Sequence, residues 1–334
     1  MTQILLIDNF KIFKSWASKT YQYKIDQLKK DSRYKVIDVD ELTNIDINNY
    51  KNVIFGWNLC IYSKYYTLKH NFYSKKIPGL ESLSSITLKT TSLLESSNIN
   101  KYLIVQDFIN PDDYQEGLKS LTLYLKKYKF TGILTPYLNT DATIPLKKEL
   151  PNIKLFHIPH HIDETKFKNW KLNKEYDIFI FGNCKKNRYP FRNRLLKILE
   201  ELQQVYKICF WNDIMSKNYF KFNKNISNEN LSKQINKSWL TICTKSYADV
   251  LLGKYMETSM SASCILGDMA SDGLNIWKDN YIKLNDKMCN DEIKTIIKQA
   301  LENKQQLLNN INIMESKMSQ FYLSSFPDRI YNIL

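Results

Sequence analysis

The chain has 334 residues, of which 43% are hydrophobic and 25% charged. Those proportions fit a globular protein of about two domains and exclude a disordered or collagen-like chain. Lysine and arginine outnumber aspartate and glutamate 48 to 34, a formal charge of +14. That excess suits an anionic partner such as a nucleotide-sugar phosphate, an acidic glycan, nucleic acid or an anionic membrane, although the Lys, Asn, Ile and Tyr bias also fits AT-rich coding.

In chain order the pattern alternates. Ile4–Ile7 is a buried strand, and Asp8, Asn9 and Phe10 follow at the end where a doubly wound domain meets its ligand. No Gly-rich fingerprint is present there, which argues against a dinucleotide dehydrogenase. A helix is predicted over about Phe13–Lys30 and a strand over Tyr34–Val39. Asp38 and Asp40 spell a DxD but bracket a strand end, so they are discounted as a metal site. Strands follow at Asn52–Trp57 and Lys101–Val105, with a basic, Tyr-rich stretch over Ile61–Lys76 between them. Gln106 and Asp107 cap the second of these strands. Pro111 opens a helix to about Lys127. Gly132–Leu134 and Ile153–Ile158 read as further strands, and the second leads into Pro159, His160, His161, Ile162 and Asp163.

Lys166–Glu175 is polar and reads as a linker, after which the alternation repeats. Tyr176–Phe181 is a strand, Gly182–Arg188 a loop, and Pro190 opens a helix with Leu195, Leu196, Leu199 and Leu202 on one face. Val205–Trp211 is a strand, and a helix begins near Ser227 or Asn228. Ser238–Cys243 is a strand, Lys245–Asp249 a loop, and a helix carries Leu251, Leu252, Tyr255, Met256, Ser259 and Met260. Cys264–Leu266 and Tyr281–Leu284 are the last strands, Glu292 to about Leu323 is helical, and the final residues are too apolar to be a free tail. Two runs of alternating strand and helix imply two parallel sheets with crossover helices.

Lys254 and Glu257 stand three apart on one helix face. A carboxylate there can accept two ribose hydroxyls, while Lys254, the loop amides and the helix dipole can hold a diphosphate. Lys245, Ser246 and Tyr247 supply that loop. Gly182 and Asn183 form a turn where a missing Cβ lets backbone approach phosphate, with Lys185 and Arg188 next along. The six cysteines form no CxxC and sit in or beside apolar runs, so they read as reduced core residues of a cytoplasmic protein. No apolar run is long enough to span a membrane, and the first residues are a strand, not a signal peptide. With four histidines and no paired cysteine, a zinc site is not expected.

Five passages, in order, resemble the two-domain (GT-B type) glycosyltransferases, especially the spore-maturation-protein-like and glycosyl-transferases-group-1-like families. They are Ile158–Asp163 with Phe167, Tyr176–Asn183, Arg192–Leu196, Lys254–Glu257, and Asp272–Trp277 with Tyr281. The sequence departs where Lys254 replaces the usual Arg, Ala262 and Ser263 replace a common Gly, and His161 replaces the Gly before Asp163. The resemblance implies an α/β protein with two facing Rossmann-like domains and an interdomain cleft. The acceptor domain would span 1–163, the nucleotide-sugar domain 176–319, and a C-terminal helical segment, 320–334, would pack back on the first domain. It implies transfer of a sugar from a nucleotide-diphosphate sugar to an acceptor, without metal or cofactor. Asp107 or His161, with His160 beside it, would serve as general base. The competing reading from another class is a nucleic-acid-binding protein, or a sugar transferase acting on DNA, that uses the basic surface.

Overall fold

The computed structural model describes residues 3–8, 10, 19–56, 95, 98–105, 114–140, 143–211 and 227–334. The chain divides into two compact units, residues 1–159 with 326–334, and residues 160–325. Among the described residues each unit holds one wholly parallel sheet. The Tyr-rich stretch over 61–76 lies outside the described residues.

The first unit is built from β1 (Ile4–Asp8), α1 (Lys19–Lys30), β2 (Tyr34–Asp38), β3 (Asn52–Phe55), β4 (Asn100–Ile104), α2 (Tyr114–Lys127), β5 (Gly132–Thr135), α3 (Thr143–Glu149) and β6 (Lys154–His157). Its sheet order is β2-β1-β3-β4-β5-β6. Because side chains alternate along a strand, β1 feeds both faces. Leu5 and Ile7 join the cluster under α2 and α3, with Leu121, Leu125 and Leu146. Ile4 and Leu6 join the opposite cluster, with Tyr21, Ile25 and Leu28 of α1. Asp38 is a cap: its carboxylate accepts the Asp40 N–H at 3.0 Å and the Phe10 N–H at 2.9 Å.

The second unit contains β7 (Tyr176–Ile180), α4 (Pro190–Leu202), β8 (Ile208–Phe210), α5 (Asn228–Asn236), β9 (Ser238–Ile242), α6 (Lys254–Met260), β10 (Cys264–Gly267), α7 (Leu274–Trp277), β11 (Ile282–Lys283), α8 (Asn290–Glu302) and α9 (Lys304–Ser316). The order is β11-β10-β9-β7-β8. Ile178, Ile180, Leu240 and Ile242 pack under α4 and α8, whereas Phe179, Phe181 and Cys243 face α6 and the ring of Trp277.

Three expectations are corrected. Residues 166–175 are not a free linker. They belong to the second unit, where Trp170 Nε1 donates to Ser232 Oγ at 2.9 Å and the Lys174 ammonium donates to the carbonyls of Asn236, Ser238 and Ala262. The helix expected over 292–323 breaks at Asn303, whose Oδ1 accepts the Gln306 N–H and so starts a new helix. The C-terminal return begins later than residue 320. Phe321 lies in the second unit's core, whereas α10 (Phe326–Tyr331) buries Phe326 and Ile330 in the first unit's. Among the described residues, no helix is long and apolar enough to cross a membrane.

Candidate functional site

The site is assembled at the carboxyl ends of β7, β9 and β10, where ligands of open parallel sheets bind. β7 runs into Phe181 and then Gly182, whose φ of 82° is a left-handed conformation that a side chain would strain. Gly182 and Asn183 are exposed, and among the described residues neither N–H donates to another group. Directly beneath this turn lie two cations. A Cβ placed on Gly182 would sit 3.3 Å from Lys254 Nζ and 3.7 Å from an Arg192 guanidinium nitrogen.

Neither cation has a carboxylate partner among the described residues. Lys254, 7% exposed, donates from Nζ to the Phe181 carbonyl at 2.7 Å and lies 4.0 Å from the centre of the Phe181 ring. Burial, helped by the charge of Arg192, lowers the Lys254 ammonium to about 7. Arg192, 2% exposed, is fixed by three bonds, to Thr244 Oγ1 at 3.1 Å, the Thr244 carbonyl at 2.9 Å and the Asn183 carbonyl at 2.9 Å. It therefore ties the turn after β7 to the loop after β9. Its face also covers the Tyr189 ring at 4.3 Å.

α6 begins at Lys254, three residues after the expected start at Leu251, and spans seven residues with no side-chain cap. A helix this short adds little dipole, so the positive character of the site comes mainly from side chains. Glu257 lies one turn along α6 from Lys254. It is partly covered, and its carboxylate has no hydrogen-bond partner among the described residues. Burial pushes it up to about 7, with Lys254 pulling the other way. Its carboxylate is thus substantially desolvated.

The remaining predicted residues take distinct places. The Lys245 ammonium is paired with Asp249 at 2.8 Å, so its charge is already matched, and its N–H donates to Asp268 Oδ1 at 3.0 Å. Ser246 is buried and its Oγ accepts the Ala248 N–H, which shapes the loop. Tyr247 is 41% exposed, and its N–H donates to the Arg188 carbonyl, which joins the two loops. Lys185 and the exposed Arg188 lie on the loop leaving Asn183, whose Oδ1 accepts the Lys185 N–H at 2.8 Å. His161 is fully buried, and His160 lies against Gly253, 3.8 Å from where a Cβ there would be. Asp107 lies outside the described residues. Among the described residues no three His, Cys, Asp or Glu side chains gather as metal ligands.

Two residues were missed as site residues. Arg192 stood in the sequence only as a mark of the α4 helix. Its neighbour Thr244 is remote in sequence, so only the fold joins them. Asp268, at the end of β10, carries a carboxyl that burial pushes up to about 6 and that the Lys245 N–H and charge pull back. An acidic residue directly after a buried strand was the available signal.

No protein-family model matches the chain, and no curated protein matches it. Solved structures do. Anabaena HepE, crystallised with UDP and glucose, matches with a TM-score of 0.59 at 10% identity, over 100% of this chain and 99% of that one. Sucrose-phosphate synthase from Thermosynechococcus elongatus matches with a TM-score of 0.59 at 7% identity, over 100% and 98%. The apo structure of OtsA matches with a TM-score of 0.53 at 10% identity, over 99% of each chain. At such identities the likeness is one of fold, and the fold is the two-domain GT-B type of these glycosyltransferases.

Proposed function

We propose that this protein is a glycosyltransferase that moves a sugar from a nucleotide-diphosphate sugar to an acceptor, with the donor held by the second unit. The observation that carries the reading is the open Gly182 turn above Lys254 and Arg192, cations without a carboxylate partner among the described residues, with the unpartnered Glu257 carboxylate one turn away. Its neighbours in fold include a protein crystallised with UDP-glucose.

The chemistry follows from charge. Breaking the bond between the sugar and the diphosphate leaves negative charge on the departing oxygen. A fixed cation in a low-dielectric setting stabilises that charge most in the transition state. Arg192 is held in place before the ligand arrives, and Lys254 gains its proton fully as the diphosphate approaches. With these two cations the reaction is expected to run without a metal ion. The ribose diol would donate both hydroxyls to Glu257, which favours its ionised form. Asn183 and the exposed Tyr247 border the turn and would meet the rest of the donor.

The test is calorimetry and thermal shift with UDP-, GDP-, TDP- and CMP-sugars, followed by donor hydrolysis with and without a chelator. One donor should bind, and Glu257→Gln should raise its dissociation constant roughly ten- to a hundredfold. Lys254→Met should weaken the diphosphate sugar but leave the bare nucleoside nearly unchanged. Donor binding that ignores both substitutions would end the proposal.

A further inference from the structure

α2 and α3 lie on the same face of the first unit's sheet, where Leu121, Leu125 and Leu146 enter one core. Their outward sides repeat one arrangement. On α2, Leu123 is 60% exposed, and Lys126 and Lys127 follow at three and four residues, on the same face of the helix. On α3, Ile144 is 58% exposed, and Lys147 and Lys148 follow at the same spacing. The two faces adjoin, because Lys126 Nζ reaches Glu149 Oε2 at 3.9 Å. Lys129 and Lys154, both exposed, extend the surface beyond the ends of the helices. Over residues 121–129 and 143–154 six lysines stand against one glutamate.

Lysines in the last turn of a helix also complement its dipole, which accounts for them singly. It does not account for two large aliphatic side chains left in water one turn back, each beside its own lysine pair. The aromatic rings here are already engaged: Tyr124 packs against Tyr128 and Phe130, and Lys127 Nζ lies 4.9 Å above the Tyr128 ring. A surface for single-stranded nucleic acid would offer free aromatic faces for stacking. Aliphatic side chains beside ammonium groups fit instead the boundary between acyl chains and anionic headgroups.

We propose that the α2–α3 face of the first unit docks on an anionic membrane surface, with Leu123 and Ile144 entering the acyl boundary and Lys126, Lys127, Lys147 and Lys148 meeting lipid phosphates. This rests on the first unit alone and is independent of the donor reading. Taken together with the proposed transferase activity, it describes an enzyme that works at a lipid surface, on an acceptor presented there.

The experiment is co-sedimentation of the full chain with vesicles of phosphatidylcholine alone and of phosphatidylcholine mixed with phosphatidylglycerol. Binding should require the anionic lipid and weaken with salt. The double substitution Leu123→Gln with Ile144→Gln keeps the charge and should weaken binding by roughly tenfold or more. Changing Lys126, Lys127, Lys147 and Lys148 to Gln should nearly abolish it. The same loss of charge at Lys171, Lys278, Lys287 and Lys298, exposed lysines of the second unit, should change it only slightly. Melting curves verify that each variant is folded. Absence of binding to anionic vesicles overturns the proposal. So does binding that responds equally to the two lysine sets, or that ignores Leu123 and Ile144 and is matched by affinity for a DNA duplex.

Discussion

Glu257 carries a cost in stability that its proposed role in binding would offset. Its carboxyl titrates at about 7 in the folded chain, against an ordinary value of 4.5, because burial disfavours the charge. A folded value raised above the unfolded one contributes stability that is fully present below about 4.5 and is lost as pH rises through about 7. Above that pH the empty site holds a carboxylate that would be more stable in water. Glu257→Gln removes the titration. The variant should match the parent's melting temperature near pH 4 and exceed it at pH 8, by at most about 3 kcal/mol of folding stability. Melting curves across that range verify the crossover. A variant less stable than the parent at pH 8 would mean that Glu257 has a favourable partner in the free protein. Together with weakened donor binding, the expected result shows a charge kept for its ligand at the expense of the fold.

At the scale of elements, two glycines of the second unit answer to different constraints. Gly182 has φ 82°, and the nearest atom to an added Cβ would be the mobile end of Lys254, at 3.3 Å. Gly267 ends β10 with φ 152°, and its added Cβ would fall 1.9 Å from the Cys243 carbonyl oxygen, which belongs to the backbone after β9. Gly182→Ala should therefore fold, at a cost of about 1–2 kcal/mol, and lose donor affinity because the methyl occupies the approach to the cations. Gly267→Ala should fail to fold or melt far lower, since the loop cannot yield without breaking the strand pair. Circular dichroism melts with calorimetry on the same samples distinguish the two. A Gly182→Ala protein that binds donor like the parent would remove the turn from the site. These elements also show what the sequence made legible. β1 announces itself by the continuous apolar run Ile4–Ile7, because a parallel strand is buried on both faces. α3 was not foreseen: it has seven residues, and only Thr143 and Leu146 are buried, too few to establish a period. Lys254 and Glu257 were legible from their local spacing. Arg192 was not, because its role depends on a loop that follows a different strand.

For the whole molecule the chain path sets the main constraint. It leaves the first unit after Pro159 and re-enters it at Phe326, so the last nine residues belong to the fold of the first. Phe326 and Ile330 lie fully within the core formed with Ile4, Leu6, Tyr21 and Ile25. The Tyr34 hydroxyl donates to the Pro327 carbonyl at 2.5 Å, and Asn52 Nδ2 donates to the Leu334 carbonyl at 3.3 Å. Lys24, buried over the Phe326 ring at 5.3 Å, has its ammonium lowered to about 8 by the same burial. Ending the chain at Ser325 deletes a large aromatic and a large aliphatic core side chain and leaves their neighbours facing a void. The first unit should lose on the order of 5 kcal/mol, while the second keeps every core residue it has. Hydrogen exchange read by mass spectrometry is the suitable measurement, because it reports each strand separately. In the truncated chain, peptides from β1, β3 and β4 should exchange much faster, and those from β7, β9 and β10 should keep their protection. If the donor binds the second unit, adding it at about a hundred times its dissociation constant should strengthen that protection by about 2.7 kcal/mol and leave the first unit's exchange unchanged. Loss of protection spread evenly over both sheets would mean that the two units fold as one cooperative body. Unaltered exchange in β1 would mean that the C-terminal helix adds nothing to the core it enters.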